Sequence, residues 1–340
     1  MKQSKLLIST LSIAVAATML VGCGGGAATP TTGTGAQPAA TTGTGGGTVG
    51  ADTYIPIISK GFQHQFWQAV KLGSENAAKE FGVKTNFIGP ESESQVDKQI
   101  EMLDAELNKN PDALCFAALD SKAAIPLLQK AKDAGIPVIG FDSGVDSDIP
   151  VTTAATDNLA AAGEAADKMA ELIGNKGEVA LVVHDQTSRT GIDRRDGFLN
   201  RMKEKHPDIQ VVDTQYGGGD QLKSTDLTKA IIQGHPNLKG IFGANEGSII
   251  GVLNGVKELK KEGQIVVIGY DSGQQQIDAI KAGTEAGAIT QDPIGIGYKC
   301  VEAAVKALKG EQLPKTIDTG FHWYDKTNID AADIAPLLYK

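Results

Sequence analysis

Positive charge is in deficit. The 340-residue chain has 32 Lys and Arg against 41 Asp and Glu, a formal net charge of −9. Nucleic-acid binders usually carry the opposite balance, because phosphates must be neutralised, so composition argues against a DNA- or RNA-binding role. Aromatic residues are scarce at 5%, and cysteines number three. Enzyme signatures are missing too. There is no Gly-x-Ser-x-Gly elbow, no Walker A lysine loop and no His-Glu-x-x-His, which removes the serine-hydrolase, nucleotidase and zinc-protease readings those motifs carry. The five histidines, His64, His184, His206, His235 and His322, are scattered without ligand spacing, and the sequence calls for no metal and no cofactor. What remains of an enzymatic alternative is a carboxylate pair such as Asp142 and Asp271, which in principle could cleave a glycoside. What is present is ordinary for a soluble globular protein: 41% hydrophobic and 21% charged residues, enough for a sizeable core and, from length, about two domains.

Glycine is in excess, with 41 residues, and much of the excess sits near the start. A short basic opening, Met1-Lys2-Gln3-Ser4-Lys5, leads into an apolar run over 6–21 that matches a secretory h-region and is too short for a confident transmembrane helix. The run ends in Leu20-Val21-Gly22-Cys23, which resembles the bacterial lipoprotein signal. That resemblance implies a signal peptide over 1–22, cleavage before Cys23 and lipidation of its thiol. Residues 23–52 are nearly all Gly, Thr, Ala and Pro; with so little to bury, they read as a flexible tether. The other cysteines, Cys115 in the apolar run 113–119 and Cys300 in a helical pattern, read as lone buried thiols rather than a disulfide.

Beyond the tether, apolar runs bounded by Gly, Pro and Asp alternate with segments of helical spacing. Strands are expected at 54–59, 83–88, 113–119, 137–142 and 151–156, with helices at 63–81, 95–107 and 123–134 between them. The alternation then restarts: helix 159–173, strand 178–183, helix 192–205, strand 210–215, helix 222–233, strand 240–244, helix 248–261, strand 265–270, helix 274–281, strand 286–290 and helix 295–308. Such alternation means βαβ units and parallel sheets, with strands apolar throughout because helices cover both faces. A (β/α)8 barrel is the rival architecture, but it would want eight units and no second beginning. Two sheets are easier to pack. In either case ligands gather at the carboxyl ends of the strands.

Those ends are loaded with aromatic, carboxylate, amide and guanidinium groups. His64, Phe66 and Trp67 follow the first strand; Asp142 ends the fourth; Arg194 follows the loop His184-Asp185-Gln186-Thr187-Ser188-Arg189; Asn245, Asp271 and Gln291 end later strands. A neutral polyol asks for this mixture: an aromatic plane against the C–H face of the ring, carboxylates that accept from hydroxyls and a guanidinium that donates to them. Each residue also has a plainer reading: Phe66 and Trp67 as core, Asp142 and Asp271 as helix caps, Arg194 in a solvated charge run, Asn245 bonding its own turn, Gln291 exposed.

In this order, the segments Phe66-Trp67, Ile136-Pro137-Val138-Ile139-Gly140-Phe141-Asp142, Thr156-Asp157-Asn158, Arg194-Arg195-Asp196-Gly197-Phe198, Ile241-Phe242-Gly243-Ala244-Asn245-Glu246, Val267-Ile268-Gly269-Tyr270-Asp271 and Ala288-Ile289-Thr290-Gln291 resemble the periplasmic ribose-binding protein family, the type I sugar receptors of ABC transporters. The match spans about 53–320. It implies two doubly wound parallel-sheet α/β lobes joined by three crossover segments, one lobe from 53–156 plus 292–319 and the other from 157–291 plus 320–340, with ligand in the cleft. The family's ligand positions fall on His64, Phe66, Trp67, Asp142, Arg194, Asn245, Asp271 and Gln291. Two positions depart from the family: its arginine after the first-lobe aspartate is Ser143 here, and a second-lobe aromatic that closes over the sugar falls on Gly219. Those losses are expected to widen the pocket. The implied function is an extracytoplasmic lipoprotein, monomeric and held to the membrane at Cys23. It would capture a pentose, hexose or short oligosaccharide by hinge closure and deliver it to an ABC permease. A signal receptor for autoinducer-2 or a nucleoside, and a secreted glycoside hydrolase, are the alternatives.

Overall fold

The structure is a computed structural model that describes residues 49–339. The expected signal peptide, Cys23 and most of the expected tether lie outside the described residues. Among those described, no helix is long and apolar enough to cross a membrane.

The chain forms two six-stranded sheets, each covered by helices on both faces. The first lobe begins with β1 (Tyr54–Ile58), α1 (Gln65–Phe81), β2 (Lys84–Ile88), α2 (Val96–Leu107), β3 (Leu114–Phe116), α3 (Ile125–Asp133), β4 (Val138–Phe141) and β5 (Thr152–Ala155). The second repeats the alternation with α4 (Asn158–Leu172), β6 (Gly177–Val183), α5 (Arg189–Lys205), β7 (Ile209–Tyr216), α6 (Gln221–Gly234), β8 (Leu238–Gly243), α7 (Glu246–Glu258), β9 (Val266–Tyr270), α8 (Gln274–Ala282) and β10 (Gly287–Gln291). The chain then returns to the first lobe with α9 (Pro293–Leu308) and β11 (Thr316–Asp318), crosses once more and adds β12 (Phe321–Tyr324) to the second. Strand orders are β11-β5-β4-β3-β1-β2 and β12-β10-β9-β8-β6-β7. All pairs are parallel except β10 with β12. The central strands are apolar because both faces are buried: every residue of β3, β4 and β10 is inaccessible.

The expected strands and helices are present; β11 and β12 were not expected. Helix α9 docks on α1 at backbone distance. A Cβ on Gly73 would stand 1.9 Å from the Ile294 carbonyl oxygen, and one on Gly297 would stand 2.0 Å from that of Val70, so both positions require glycine. Cys115 and Cys300 are free and buried in this lobe, the Cys115 thiol donating to the Cys300 carbonyl at 3.5 Å.

This topology fixes where a site can form. In each sheet the strand order reverses beside the first strand, between β1 and β3 and between β6 and β8. Loops diverge at such a switch point and leave a crevice at the carboxyl ends of the strands.

Candidate functional site

The two crevices face each other across a small recess of about 20 Å3, lined by Lys60, His64, Phe66, Trp67, Glu93, Asp142, His184, Thr190, Arg194, Asn245, Asp271 and Gln291. All eight residues expected from the sequence are therefore brought together. Lys60, Glu93, His184 and Thr190 were not selected. Lys60 and His184 lie in strand-end loops, where a charged or titratable side chain reads as solvated; here the opposite lobe covers them and both are buried. Glu93 sits in the acidic, serine-bearing turn Glu91-Ser92-Glu93-Ser94, which reads as surface. It is buried because its Oε1 accepts the Trp67 indole N–H at 2.7 Å.

On the first-lobe side, α1 delivers Phe66 and Trp67, whose rings meet edge to face at 5.0 Å and 85°. Two perpendicular rings cannot both lie flat against one sugar ring, so one face and one edge are on offer rather than two stacked planes. Both residues also belong to the lobe's core; the core reading and the site reading hold together. Asp142 follows β4 in a left-handed backbone conformation, φ 53°, which for a non-glycine residue stores strain that the surroundings must impose. Its carboxylate makes no hydrogen bond among the described residues. Burial pushes this carboxyl up to about 6, against the pull of Lys60 and Arg194.

On the second-lobe side, Arg194 lies 3.8 Å from the centroid of the Tyr270 ring. Its Nε donates to Asn158 Oδ1 at 2.7 Å and its Nη1 to the Ala244 carbonyl at 3.0 Å, while the Tyr270 hydroxyl donates to the same Asn158 oxygen at 2.9 Å. Arg194 is thus aimed from a buried seat, not carried on a solvated charge run. Asn245 caps α7, its Oδ1 accepting from Ser248 N at 2.9 Å, which leaves the amide N–H2 for the recess. Asp271 also has a left-handed backbone, φ 80°. Its carboxylate caps no helix of its own; it accepts from Gln291 Nε2 at 2.7 Å and from Glu246 N at 2.8 Å.

Lys60 reaches across from the first lobe, donating to Thr190 Oγ1 at 3.0 Å and Ser188 Oγ at 3.4 Å. It stands 4.0 Å from Glu93 and 3.9 Å from Asp185. Burial opposes ionisation of Glu93, but the nearby Lys60 charge holds its carboxyl below the usual range. Burial and then the Lys60 charge push His184 down to about 3, so its ring is neutral when it meets Thr190 Oγ1 at 3.1 Å. Both His64 nitrogens, Glu93 Oε2, His184 Nδ1 and Gln291 Oε1 are buried without a hydrogen-bond partner among the described residues. Unpaired buried polar atoms are costly, and five of them belong to residues that line this one recess.

The expectation of a widened pocket is not met. The chain at Gly218 and Gly219 is left-handed, φ 71° and 68°. A Cβ at Gly219 would stand 3.2 Å from both Glu93 Oε2 and His64 Nε2. First-lobe side chains occupy the room that a second-lobe aromatic would need, so the substitution exchanges one wall for another. Ser143, where the family's arginine was expected, is fully buried and outside the recess lining.

A family model described as periplasmic binding protein domain matches residues 55–312. The chain is similar to the D-allose-binding periplasmic protein of Escherichia coli strain K12, 28% identical over 267 residues that cover 76% of this chain and 86% of that protein. Among solved structures, it resembles an ABC transporter solute-binding protein from Agrobacterium vitis bound with alpha-D-tagatopyranose, at TM-score 0.81 and 33% identity over 85% of this chain and 100% of that one. A second protein from the same organism, with D-fucose bound, gives TM-score 0.82 and 32% identity over 84% and 100%.

Proposed function

This chain belongs to the periplasmic binding protein domain family, and from that premise we propose that it is the sugar-binding component of an ABC transporter, built for a single monosaccharide ring. The observation that carries the ring size is the recess itself. Aromatic rings, carboxylates, amides and a guanidinium from both lobes converge on one small enclosed space, and a glycoside of two or three rings would have to hold the lobes apart. It is a binding protein, not an enzyme, like the relatives it matches.

The sugar meets one aromatic face from Phe66 or Trp67. Asp142, Glu93 and Asp271 accept from its hydroxyls; Arg194, Asn245 and His64 donate or share, and Gln291 Oε1 accepts. Contacts come from both lobes, so they are complete only when the lobes are closed, and the difference in affinity between open and closed forms drives closure. The closed form is then the shape a permease recognises. The lipobox-like Leu20-Val21-Gly22-Cys23 supports an extracytoplasmic protein anchored through lipid at Cys23, with the Gly/Thr-rich stretch as its leash.

A thermal-shift panel tests the reading, because a ligand that binds only the folded chain raises its melting temperature by mass action. D-Allose, D-tagatose, D-fucose, D-arabinose, D-ribose, maltose, adenosine and leucine make a sufficient set. At least one monosaccharide should raise Tm by several degrees at millimolar concentration, with no shift from maltose or leucine. A shift from adenosine, maltose or leucine alone would contradict the proposal.

A further inference from the structure

Helices α4, α5, α6, α7 and α9 are capped by their own N-cap side chains, Asp157, Ser188, Asp220, Asn245 and Asp292. Helices α1 and α8 are not: their N-cap residues, His64 and Gly273, make no side-chain cap. Both N-termini face the cleft, one from each lobe, and each is capped from across it. Glu246, the first residue of α7, accepts from Gln65 N on Oε1 at 2.9 Å and from Phe66 N on Oε2 at 3.0 Å. The Gln65 side chain returns the bond, its Oε1 accepting from Gln274 N at 2.8 Å where α8 begins. Helices α2 and α3 also lack a cap from their N-cap residues, but neither receives one from the other lobe.

We propose that Glu246 and Gln65 form a reciprocal latch in which each lobe completes a helix N-terminus of the other, and that this exchange sets the balance between open and closed lobes independently of the sugar. Two features support it. Neither residue lines the recess, so their bonds reward closure, not ligand contact. Their bonds nevertheless reach both halves of the site. The Glu246 backbone N–H donates to Asp271 Oδ2 at 2.8 Å, while its carboxylate holds the amide of Phe66. Opening the lobes leaves α1 and α8 with first-turn N–H groups that water must satisfy. It also removes a carboxylate from the positive end of α1. Glu246 and Gln65 are positioning residues in this account.

Amide hydrogen exchange on the ligand-free chain, read by NMR, tests the latch without reference to any sugar. In wild type, the amides of Gln65, Phe66 and Gln274 should exchange at least about tenfold more slowly than exposed amides. In Glu246→Ala, protection should fall at Gln274 as well, although Gln274 bonds to Gln65 and not to Glu246. Amides of the β3 and β8 cores serve as the folding control and should be unchanged. Unprotected wild-type amides, or unaltered protection of Gln274 in the variant, would overturn the latch. A second arm rests on the sugar-binding reading. For each monosaccharide that binds, Glu246→Ala should raise Kd by the same factor, at least about tenfold, because a smaller closed population weakens every ligand alike. Glu246→Gln, which keeps one acceptor, should recover part of it. A factor that differs from sugar to sugar would make Glu246 a ligand contact and overturn the latch; a panel in which no sugar binds would count against the proposed function while the exchange result stands.

Discussion

The two lobes present nearly the same six-residue phrase to the cleft, alike at every position but one aromatic. Val138-Ile139-Gly140-Phe141-Asp142-Ser143 ends β4, and Val267-Ile268-Gly269-Tyr270-Asp271-Ser272 ends β9. The strands hold equivalent places in their sheets, and both aspartates have positive φ, 53° and 80°. Each aspartate also donates its own N–H to the neighbouring strand, at 2.9 Å to Ala154 and 2.7 Å to Ile289. The backbones agree and the surroundings do not. Asp271 is held by an amide side chain and a backbone N–H, whereas the Asp142 carboxylate is buried with no hydrogen-bond donor among the described residues, and burial lifts it to about 6. Beside them, Phe141 is a core ring and Tyr270 is the platform under Arg194. One lobe supplies a pre-ordered polar wall, the other a strained, desolvated carboxylate beside flat rings.

If that division is right, removing the two carboxylates has unequal consequences. Asp271→Ala strands the Gln291 amide and the Glu246 N–H as well as a ligand hydroxyl, so calorimetry should show a loss well over tenfold, towards about a hundredfold, in monosaccharide affinity. Unaltered binding would remove Asp271 from the site. Asp142→Asn removes only an acceptor for the ligand, and about a tenfold loss is expected.

The pH dependence separates the pair further. The Asp142 carboxyl titrates higher in the fold than in the unfolded chain, where its ordinary value is 3.8. The native state therefore binds more protons between about 4 and 6, and its stability falls as pH rises through that window. Above pH 6 the ionised form carries the full penalty while being the form that accepts from the sugar. Asp142→Asn should therefore melt higher than wild type at pH 7.5 without ligand, with the gain absent at pH 3.5. Wild-type affinity should decline below pH 6, and the variant should lose that decline. Equal melting temperatures at pH 7.5 would show that the buried carboxylate has no cost. The smallest effect is expected from making the second phrase more like the first: Tyr270→Phe keeps the ring under Arg194 but loses the hydroxyl bond to Asn158, for about a threefold loss of affinity.

The fold was legible because its strands are continuous apolar runs punctuated by Gly, Pro and Asp, a pattern that burial on both faces enforces. Two of the four edge strands, β11 and β12, escaped for the same reason. Thr316–Asp318 is three residues long and mostly exposed, and Phe321–Tyr324 pairs antiparallel on an outer edge. Helix α5 starts at Arg189, earlier than the apolar spacing suggests, because the Ser188 side chain accepts from Gly191 N. At the site, strand ends and residue chemistry together with the family resemblance singled out His64, Phe66, Trp67, Asp142, Arg194, Asn245, Asp271 and Gln291, and all eight line the recess. Lys60, His184 and Thr190 were missed because contact between the lobes buries or partners them, and Glu93 because the Trp67 indole of its own lobe draws it inward; no local pattern encodes either. The glycine run at 217–219 misled in the opposite direction: a missing side chain was read as added room, when Gln63, His64 and Glu93 from the facing lobe crowd the same place.

The repeated phrase itself was present in the sequence, and reading it as a repeat would have predicted the twin aspartates without any resemblance. Its meaning is tested most directly by a crystal structure of the chain with the monosaccharide that shifts its melting temperature most. A single ring in hydrogen-bond reach of both Asp142 and Asp271, flat against one of the Phe66 and Trp67 faces, is the predicted result. A ring that touches one lobe alone, or lies outside the recess, would contradict it.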